Sequence, residues 1–539
     1  MDYQLRQQIG QMIFAGVPVA DEVDDQTYHL IRAYDIANFC LFGHNIVSIP
    51  QTCALCNELA ELCAGCNGVM PLIIADQEGG AVSRAKMEGA HFPGAMALAA
   101  AYDHKENGAE IANSIGHLGG LVIKALGINT NDAPVLDVNI NPSNPIIGTR
   151  SFSDDPRVVS KFGIAQLKGM KEAGVLSVVK HYPGHGGVST DSHLNLPENK
   201  ATRETLAQTE WKPFKEAFEA GAEALMTCHV RFPNIDPDMP ATLSPKIMTQ
   251  LLRVEHRFRG LAITDCLEMD AIRSKWSPGE AAILAVEAGC DMLTFSHSFE
   301  GPMEAAKALF DAVTSGRIPR RRIEASVRRI MAAKERYRLL RHRPKDPEVA
   351  KKFAENQDMI QFFGNVSFLS ITLLPGPDAG KLFYESDAPK FFAPVSAAMT
   401  GAEDPPAKPL SLAKEAIALW NGCLGVETPI YSQEKSAVAL DEHILSEIKA
   451  QDYNLAVLAL CNAQFRPGQQ ELLRALEASD RPLIVLLMGS PYDASLVKRK
   501  DVPIIAAYEY TPLSVNALLR AMDEGRYLGR CPVKVELNR

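Results

Sequence analysis

The sequence has little that would place the protein in a membrane. Its apolar runs, such as Leu455–Cys461 and Leu483–Met488, fall far short of the roughly 20 residues that a helix needs to span a bilayer. The first residues, MDYQLRQQIGQMIFAG, contain Gln and Arg where a secretory signal needs an unbroken apolar segment. These two absences predict a chain that is neither inserted in a membrane nor exported.

The sequence also lacks the excess of positive charge that is typical of proteins that bind nucleic acids. It has 55 Lys and Arg against 65 Asp and Glu, so its formal net charge is −10. Its 11 cysteines are an odd number in a long chain, which is not typical of a disulfide framework and fits a reducing compartment. We therefore expect a cytoplasmic protein with no nucleic-acid partner and no membrane partner.

Short apolar strands alternate with longer amphipathic segments through the first 340 residues. These segments have the helical spacing of apolar residues, as in Asp155–Ala173, Ser244–Arg253 and Gly279–Ala288. The alternation predicts an α/β fold, a (β/α)8 TIM-like barrel, although the Ala99–Gly127 region leaves the number of strands open. The candidate strands are Met12–Ala15, Asn38–Phe42, Leu72–Ala75, Asn131–Leu136, Ser177–Val179, Ala224–Thr227, Leu261–Thr264 and Asp291–Phe295.

Polar side chains lie at or just after the ends of six of these strands. In a barrel the carboxyl ends of the strands converge on one face, and active sites of such barrels lie there. This coincidence favours a barrel over an open sheet. The residues are Asp76, Asp137, Lys180–His181, His229, Asp265 and Ser296–His297.

The barrel is predicted to occupy residues 1–340 and to end in the basic segment Ile323–Leu340. We interpret that segment as a helix packed on its own domain with solvated arginines, rather than as a nucleic-acid-binding element. A linker is predicted at 341–365 and a C-terminal α/β sandwich domain at 366–539. The predicted elements of that domain are strands at Val366–Leu374, Leu455–Leu460, Leu483–Met488 and Ile504–Ala507, and helices such as Gln469–Ala478 and Ser514–Met522.

The densest group of chemically active side chains lies in 180–197, KHYPGHGGVSTDSHLNLP. Its glycines and proline predict a loop that carries polar groups over a site. Three interpretations remain open. In the first, the cluster binds zinc through His181, His185, Asp191 and His193. In the second, its polar groups form a structural network. In the third, it is catalytic, and Asp191 orients His193 as an acid/base.

Two further motifs place carboxylates at the ends of predicted strands. In ITDCLEM, Asp265 ends an apolar strand, where a carboxylate can bind a metal, bind a substrate hydroxyl or attack carbon. In IADQEGGAVSR, Asp76 ends another strand, and Gly79–Gly80 allow a close approach of backbone. Arg84 follows in the same motif.

Taken together, these motifs resemble family 3 of the glycoside hydrolases, in its β-N-acetylglucosaminidase branch. The resemblance covers the first domain, where IADQEGGAVSR, NDAPVLDVN, IIGTRSFSDDP, KHYPGHGGVSTDSH, MTCHV and ITDCLEM follow the family's order. The second domain is similar to the family's C-terminal α/β sandwich, with a weaker match near AAYEYTPLSVNALLRAMDEG.

The resemblance implies a role for each matched residue. Asp265 is the expected nucleophile, kept ionised by Lys180 and nearby arginines. His193 is the expected acid/base, with Asp191 as its partner. The expected sugar-binding residues are Asp76, Arg84, Arg150, Lys180 and His181; His229 is expected either to line the pocket or to support it, and Asp137 to be a buried support.

The implied activity is that of a retaining exo-β-N-acetylglucosaminidase that acts on muropeptide or chitooligosaccharide fragments. It needs no cofactor and no metal, and its partner is a small carbohydrate substrate; a homodimer is possible by the same resemblance. Three alternatives stay open: a phosphorylase that uses the same residues, a zinc metallohydrolase that uses the histidine cluster, and an inactive sugar-binding module.

Overall fold

The structure is a computed structural model that describes residues 2–20, 22–85, 87–189, 196–341, 343–394, 410–420, 422–428 and 440–537. Its first part is a closed barrel of eight parallel strands in which each strand pairs with its neighbours in the chain and the last pairs with the first. The predicted barrel is confirmed. Its strands are β1 (Ile13–Gly16), β2 (Asn38–Cys40), β3 (Leu72–Ala75), β4 (Thr130–Asn131), β5 (Leu176–Tyr182), β6 (Ala224–Thr227), β7 (Leu261–Cys266) and β8 (Met292–Phe295).

One long helix follows each strand and covers the outside of the barrel. Residues 99–127, which left the strand count open, fall in the helices Ala95–Tyr102 and Gly108–Leu126, so they add no strand. The eight covering helices are Asp25–Tyr34, Ile49–Asn67, Gly108–Leu126, Pro156–Ala173, Trp211–Glu219, Lys246–Glu255, Pro278–Ala288 and Glu300–Thr314. The helix Tyr3–Gly10 precedes β1.

Two strand boundaries differ from the prediction for physical reasons. The predicted strand Asn131–Leu136 is regular only over Thr130–Asn131, because Pro134 has no N–H with which to continue a ladder. Strand β5 extends beyond the predicted Ser177–Val179 to Tyr182. The two polar residues at its end, Lys180 and His181, are buried in the barrel with bonded partners.

The basic helix spans Arg320–Arg336 and is packed against the barrel. Ile323 and Ile330 are fully buried, and Arg329 donates to the buried Asp291 at 2.9 Å. Arg253, from the helix before β7, donates to the same carboxylate at 2.7 Å. These contacts support the interpretation of this segment as a packed helix.

The C-terminal domain is a six-stranded sheet with helices on both faces. The spatial order is β9, β14, β13, β12, β10 and β11, in which β9 is antiparallel to β14 and the other pairs are parallel. Its strands are β9 (Thr372–Leu373), β10 (Pro389–Pro394), β11 (Leu424–Thr428), β12 (Leu455–Leu460), β13 (Leu483–Leu487) and β14 (Ile504–Ala506). Its helices are Ala379–Tyr384, Leu412–Leu419, Glu442–Lys449, Pro467–Glu477 and Pro512–Glu524.

The region between the domains is more helical than the sequence predicted, and only Thr372–Leu373 of the expected strand Val366–Leu374 is a strand. The expected linker at 341–365 contains the helix Pro347–Ala354 and the beginning of Gln357–Ser370, and that second helix also covers most of the expected strand Val366–Leu374. Its Val366 packs on the barrel core and its Phe368 packs on the C-terminal core. The end of this helix, from Val366 to Ser370, is buried on two sides and mostly apolar, which is why its sequence resembles the beginning of a buried strand.

Within the described ranges, the structure contains no helix with the length and apolar character that crossing a bilayer requires.

Candidate active site

A pocket at the carboxyl ends of the barrel strands brings together six of the nine predicted site residues. These six, which line it directly, are Asp76, Arg84, Arg150, Lys180, His181 and Asp265. Asp191 and His193 lie outside the described residues. His229 is described but does not line the pocket. Glu78, Asp132 and His185 are among the further titratable side chains that line the pocket.

Asp76 is held between two cations. Lys180 Nζ donates to Asp76 Oδ1 at 2.7 Å, and Arg84 Nη2 donates to Asp76 Oδ2 at 3.0 Å. Burial alone would raise the pKa of Asp76, but the charges of Lys180 and Arg84 outweigh it and hold the pKa far below its ordinary value. An ionised carboxylate with fixed oxygens is a good acceptor for the hydroxyl groups of a sugar.

Glu78, which the sequence analysis did not single out, forms the second half of this charged network. Arg150 donates to both of its oxygens, at 2.9 and 2.8 Å, and Lys180 Nζ lies 2.6 Å from Oε1. These cations outweigh burial and lower the pKa of Glu78 to about 2. The available signal was its position two residues after Asp76, because alternate residues of an extended segment face the same side.

A histidine–aspartate pair lies beside Arg150. His181 Nδ1 is 2.7 Å from Asp137 Oδ2, and Asp137 Oδ1 accepts the backbone N–H of His185 at 2.7 Å. Asp137 is fully buried, as expected for a supporting residue. His181 Nε2 lies 3.4 Å from Arg150 Nη2, so its outer nitrogen faces a guanidinium group. Burial lowers the pKa of His185 to about 4, so His185 is neutral at neutral pH.

Asp265 is the fifth residue of β7 and is half-buried, with its side chain at the pocket. Its Oδ1 accepts the backbone N–H of Cys266 at 2.7 Å. Lys180, the expected counter-charge of Asp265, is bonded to Asp76 and Glu78. Its amine therefore organises these two buried carboxylates, and its effect on the charge of Asp265 stays a prediction.

The expectation that His229 contacts the sugar is not supported by its position. Its side chain is completely buried, with Nδ1 2.9 Å from Thr242 Oγ1 and Nε2 2.9 Å from the carbonyl oxygen of Cys266. The second contact holds the backbone next to Asp265. His229 thus has the supporting position that was its alternative interpretation.

The glycine-rich segment after β5 is packed rather than loose over its described part. Residues 181–186 are buried, and an added Cβ at Gly186 would lie 1.7 Å from the carbonyl oxygen of Val138. The buried Glu210 accepts the Gly187 N–H at 2.9 Å and the Asn199 side-chain amide at 2.8 Å. Glu210 therefore joins the chain before and after the motif that contains Asp191 and His193.

Comparisons with known proteins identify a family and several relatives. The glycosyl hydrolase family 3 N-terminal domain model matches residues 4–333. Beta-hexosaminidase A of Pseudoalteromonas piscicida is 36% identical over 325 residues, which cover 57% of this chain and 54% of that protein. A beta-hexosaminidase of Hydrogenovibrio crunogenus is 34% identical over 259 residues, which cover 48% of this chain and 71% of that protein.

A solved structure resembles the chain over nearly its whole length. It is the glycoside hydrolase family 3 beta-N-acetylglucosaminidase from Paenibacillus sp. str. FPU-7, which is 33% identical, with a TM-score of 0.88 and 99% coverage of both chains. By contrast, the match to the Pseudoalteromonas protein spans only about half of that relative's length.

Proposed function

We propose that this chain, which belongs to glycosyl hydrolase family 3, is a retaining exo-β-N-acetylglucosaminidase. The observation that carries the proposal is the position of Asp265, whose side chain lines the same pocket as a network of fixed charged groups. The names of the two beta-hexosaminidases and of the structural relative support the same activity.

In the first step, Asp265 attacks the anomeric carbon of the terminal sugar. A bond forms between its carboxylate oxygen and that carbon, while the bond to the leaving-group oxygen breaks. His193, oriented by Asp191, gives its proton to the leaving oxygen. The product is a covalent glycosyl-enzyme and a released alcohol.

In the second step, the neutral His193 removes a proton from water as the water oxygen attacks the same carbon. The bond to Asp265 breaks, the carboxylate is restored and His193 is protonated again. Two inversions give net retention of configuration. Neither step uses a cofactor or a metal.

The charged wall of the pocket is the proposed binding site for the terminal sugar. Asp76 accepts hydrogen bonds from hydroxyl groups, while Lys180 and Arg84 donate to hydroxyl oxygens and keep Asp76 ionised. Arg150 adds guanidinium donors for hydroxyl or carbonyl oxygens, and His181 completes the set with its outer ring nitrogen beside Arg150. A wall of this kind binds one sugar end tightly, which fits exo-acting cleavage.

The zinc alternative is disfavoured by the surroundings of His181. One ring nitrogen is bonded to Asp137 and the other faces Arg150, so a metal ion on this ring would have to displace an acid or lie against a cation. Two of the other proposed ligands, Asp191 and His193, lie outside the described residues.

We place the substrate among short fragments with a terminal GlcNAc, from muropeptides or chitooligosaccharides. A cytoplasmic location would favour the first of these in recycling of peptidoglycan fragments.

The proposal is tested by comparing an aryl β-N-acetylglucosaminide with the matching aryl β-glucoside, with and without phosphate. We expect the first to be hydrolysed with the higher kcat/KM, with the β-anomer of the free sugar as first product. Preference for the glucoside would contradict the assigned substrate. Faster turnover with phosphate and a sugar 1-phosphate product would instead show a phosphorylase.

The acid/base role of His193 and its partner Asp191 is tested with substrates whose leaving groups differ in acidity. His193→Ala should lower kcat/KM much more for glycosides with poorly acidic alcohols than for a dinitrophenyl glycoside, because only the former need a proton. Equal losses on both substrates would contradict the acid role.

A further inference from the structure

Asp132 is a buried acid of the pocket that the proposed mechanism does not use. It directly follows β4, and its backbone N–H donates to the carbonyl oxygen of Ala75 on β3 at 3.0 Å. Its side chain lines the pocket, and the residue is only 6% exposed. It therefore belongs to the lining of the proposed sugar site, at the carboxyl end of β4 between β3 and β5.

The Oδ1 atom of Asp132 is buried and has no hydrogen-bond partner among the described residues. The neighbouring carboxylates differ in this respect, because Asp76 is bonded to Lys180 and Arg84, and Glu78 to Arg150. Buried polar oxygens are almost always paired in proteins. An unpaired, shielded oxygen of this kind disfavours the ionised form of the carboxyl group, and the small exposed part of Asp132 faces the pocket.

The charges around Asp132 decide which form of the carboxyl group is present. Asp76, Glu78 and Asp265 are acids that face it, and Lys180 is the facing cation, already bonded to the first two. The thiol of Cys40 on β2 also lines this part of the pocket. Burial and the charges of Asp76, Asp265 and Glu78 raise the pKa of Asp132 well above its ordinary value.

A protonated carboxyl group has an O–H to donate, which an ionised one lacks. It also leaves the pocket without a further negative charge, which suits a neutral sugar. We propose that Asp132 is a further substrate-binding residue whose carboxyl group donates a hydrogen bond to a hydroxyl or acetamido oxygen of the bound sugar. This inference rests on the proposed function, since it takes the ligand of the pocket to be a neutral sugar.

Two substitutions at Asp132 distinguish a carboxyl group that donates a hydrogen bond from one that acts through its negative charge. Asp132→Asn replaces the O–H with an amide N–H of nearly the same shape, whereas Asp132→Leu removes every donor at similar volume. With the aryl β-N-acetylglucosaminide, we expect Asp132→Asn to retain kcat/KM within about threefold and Asp132→Leu to lose about tenfold or more, mostly through KM. The control is Asp236→Asn, which neutralises a buried acid outside the pocket that is bonded to Ser244; it should leave kcat/KM unchanged.

Wild-type kcat/KM in Asp132→Leu would overturn the contact with substrate. A loss of kcat/KM in Asp132→Asn as large as in Asp132→Leu would overturn the donor role. If the wild type cleaved an aryl 2-amino-2-deoxyglucoside faster than the aryl β-N-acetylglucosaminide, the carboxylate would be ionised and would bind a cation. Thermal unfolding checks that each variant is folded, and Asp132→Ala replaces Asp132→Leu if the latter is not.

Failure of the proposed function is recognised separately. If the wild type does not cleave the N-acetylglucosaminide, the variants are compared on the aryl glycoside that it does cleave. The difference in kcat/KM between Asp132→Asn and Asp132→Leu on that substrate then still decides the role of Asp132.

Discussion

Glu78 in the barrel pocket and Glu509 in the C-terminal domain are both almost completely buried, at 7% and 3% exposure, yet their pKa values move in opposite directions. Burial raises the pKa of each. At Glu78 the charges of Arg150 and Lys180 outweigh burial and bring the pKa to about 2. At Glu509 the strongest contact is the Gly94 backbone N–H at 2.8 Å, and the pKa rises to about 7.

The difference shows what each region does with buried polarity. The pocket keeps its acids ionised by pairing them with cations, at a cost in desolvation that a binding site recovers from its ligand. The C-terminal domain holds Glu509 with a neutral backbone N–H and a neutral hydroxyl group, so this acid gains no such compensation. The first arrangement suits recognition of a polar ligand and the second suits a joint between domains.

The C-terminal domain contacts the barrel at segments that carry site residues. Glu509 reaches the backbone at Gly94, beside Gly80 of the turn that follows Glu78. Asn139, which follows the buried Asp137, donates to the Tyr492 hydroxyl at 3.3 Å. We infer that this domain supports the pocket from outside and supplies none of the described side chains that line it.

The largest expected effect is at Asp265. Asp265→Ala should lower kcat by at least about 10⁴-fold, because it removes the proposed nucleophile, while the unfolding midpoint stays near that of the wild type, since the side chain is only half-buried. Steady-state kinetics and thermal unfolding measure the two. The control Asp270→Ala removes an exposed acid nearby that pairs with Arg273 and should keep full activity. Substantial turnover in Asp265→Ala would remove the basis of the mechanism.

Lys180→Met tests the charge-paired network itself. Lys180 is 1% exposed and bonded to two buried carboxylates, so its loss leaves Asp76 and Glu78 short of positive charge. We expect a loss of about 3–5 kcal/mol in the free energy of unfolding and a fall in kcat/KM of about 100-fold. Urea unfolding and kinetics check both.

The matched control is Lys390→Met in the C-terminal domain. Lys390 is also buried, but its partners Glu447 and Asp452 are 28% and 54% exposed and remain solvated without it. Its loss should cost less stability and leave kcat/KM unchanged. An equal loss of activity in both variants would mean that the two regions do not differ as we describe.

The sequence predicted the barrel and six of the side chains that line the pocket, largely because the strands and their polar ends follow a simple pattern. A short apolar strand that ends in a polar residue can be recognised without knowing its neighbours, and this rule placed Asp76, Lys180 and Asp265 correctly. The same rule does not give the direction of a side chain that follows a strand. His229 satisfies the pattern, but it bonds to Thr242 and to the backbone next to the site instead of lining the pocket.

Other features depend on contacts between segments that are distant in sequence. Asp132 follows a strand of only two residues, so its polar character alone did not distinguish it from a turn residue. The helix Gln357–Ser370 is buried by two different cores, and neither can be deduced from its own sequence. Strand β10 (Pro389–Pro394) was missed because it contains two prolines and Lys390, and that lysine is paired only in the folded sheet.

Glu509→Gln tests the neutral joint through pH. The pKa of Glu509 in the folded state, about 7, lies above the ordinary 4.5, so folding favours the protonated form and wild-type stability falls as pH rises from about 5 to 7. Gln does not titrate, and its amide can accept from Gly94 and donate to the Thr511 hydroxyl, the two groups that Glu509 contacts. The variant should therefore gain about 1–3 kcal/mol over the wild type between pH 5 and pH 8.

Urea unfolding across this pH range measures the free energy of unfolding of each protein. Groups that titrate in both proteins contribute equally, so their effect cancels in the difference between variant and wild type. If the free energy of unfolding changed with pH in the same way in both proteins, Glu509 would not be protonated in the folded state as we describe. Activity at pH 6 should be the same in both, because Glu509 lies outside the pocket.

The smallest expected effect is at Tyr492, where the hydroxyl forms one contact between the domains. Tyr492→Phe removes the 3.3 Å bond from the Asn139 amide and keeps the ring, so the free energy of unfolding should fall by only about 0.5–1.5 kcal/mol. The kcat/KM should stay within about twofold, because Asp137 retains its own bonds to His181 and His185. A tenfold loss of kcat/KM with unchanged stability would contradict this, since it would mean that the C-terminal domain sets the geometry of the pocket rather than only supporting it.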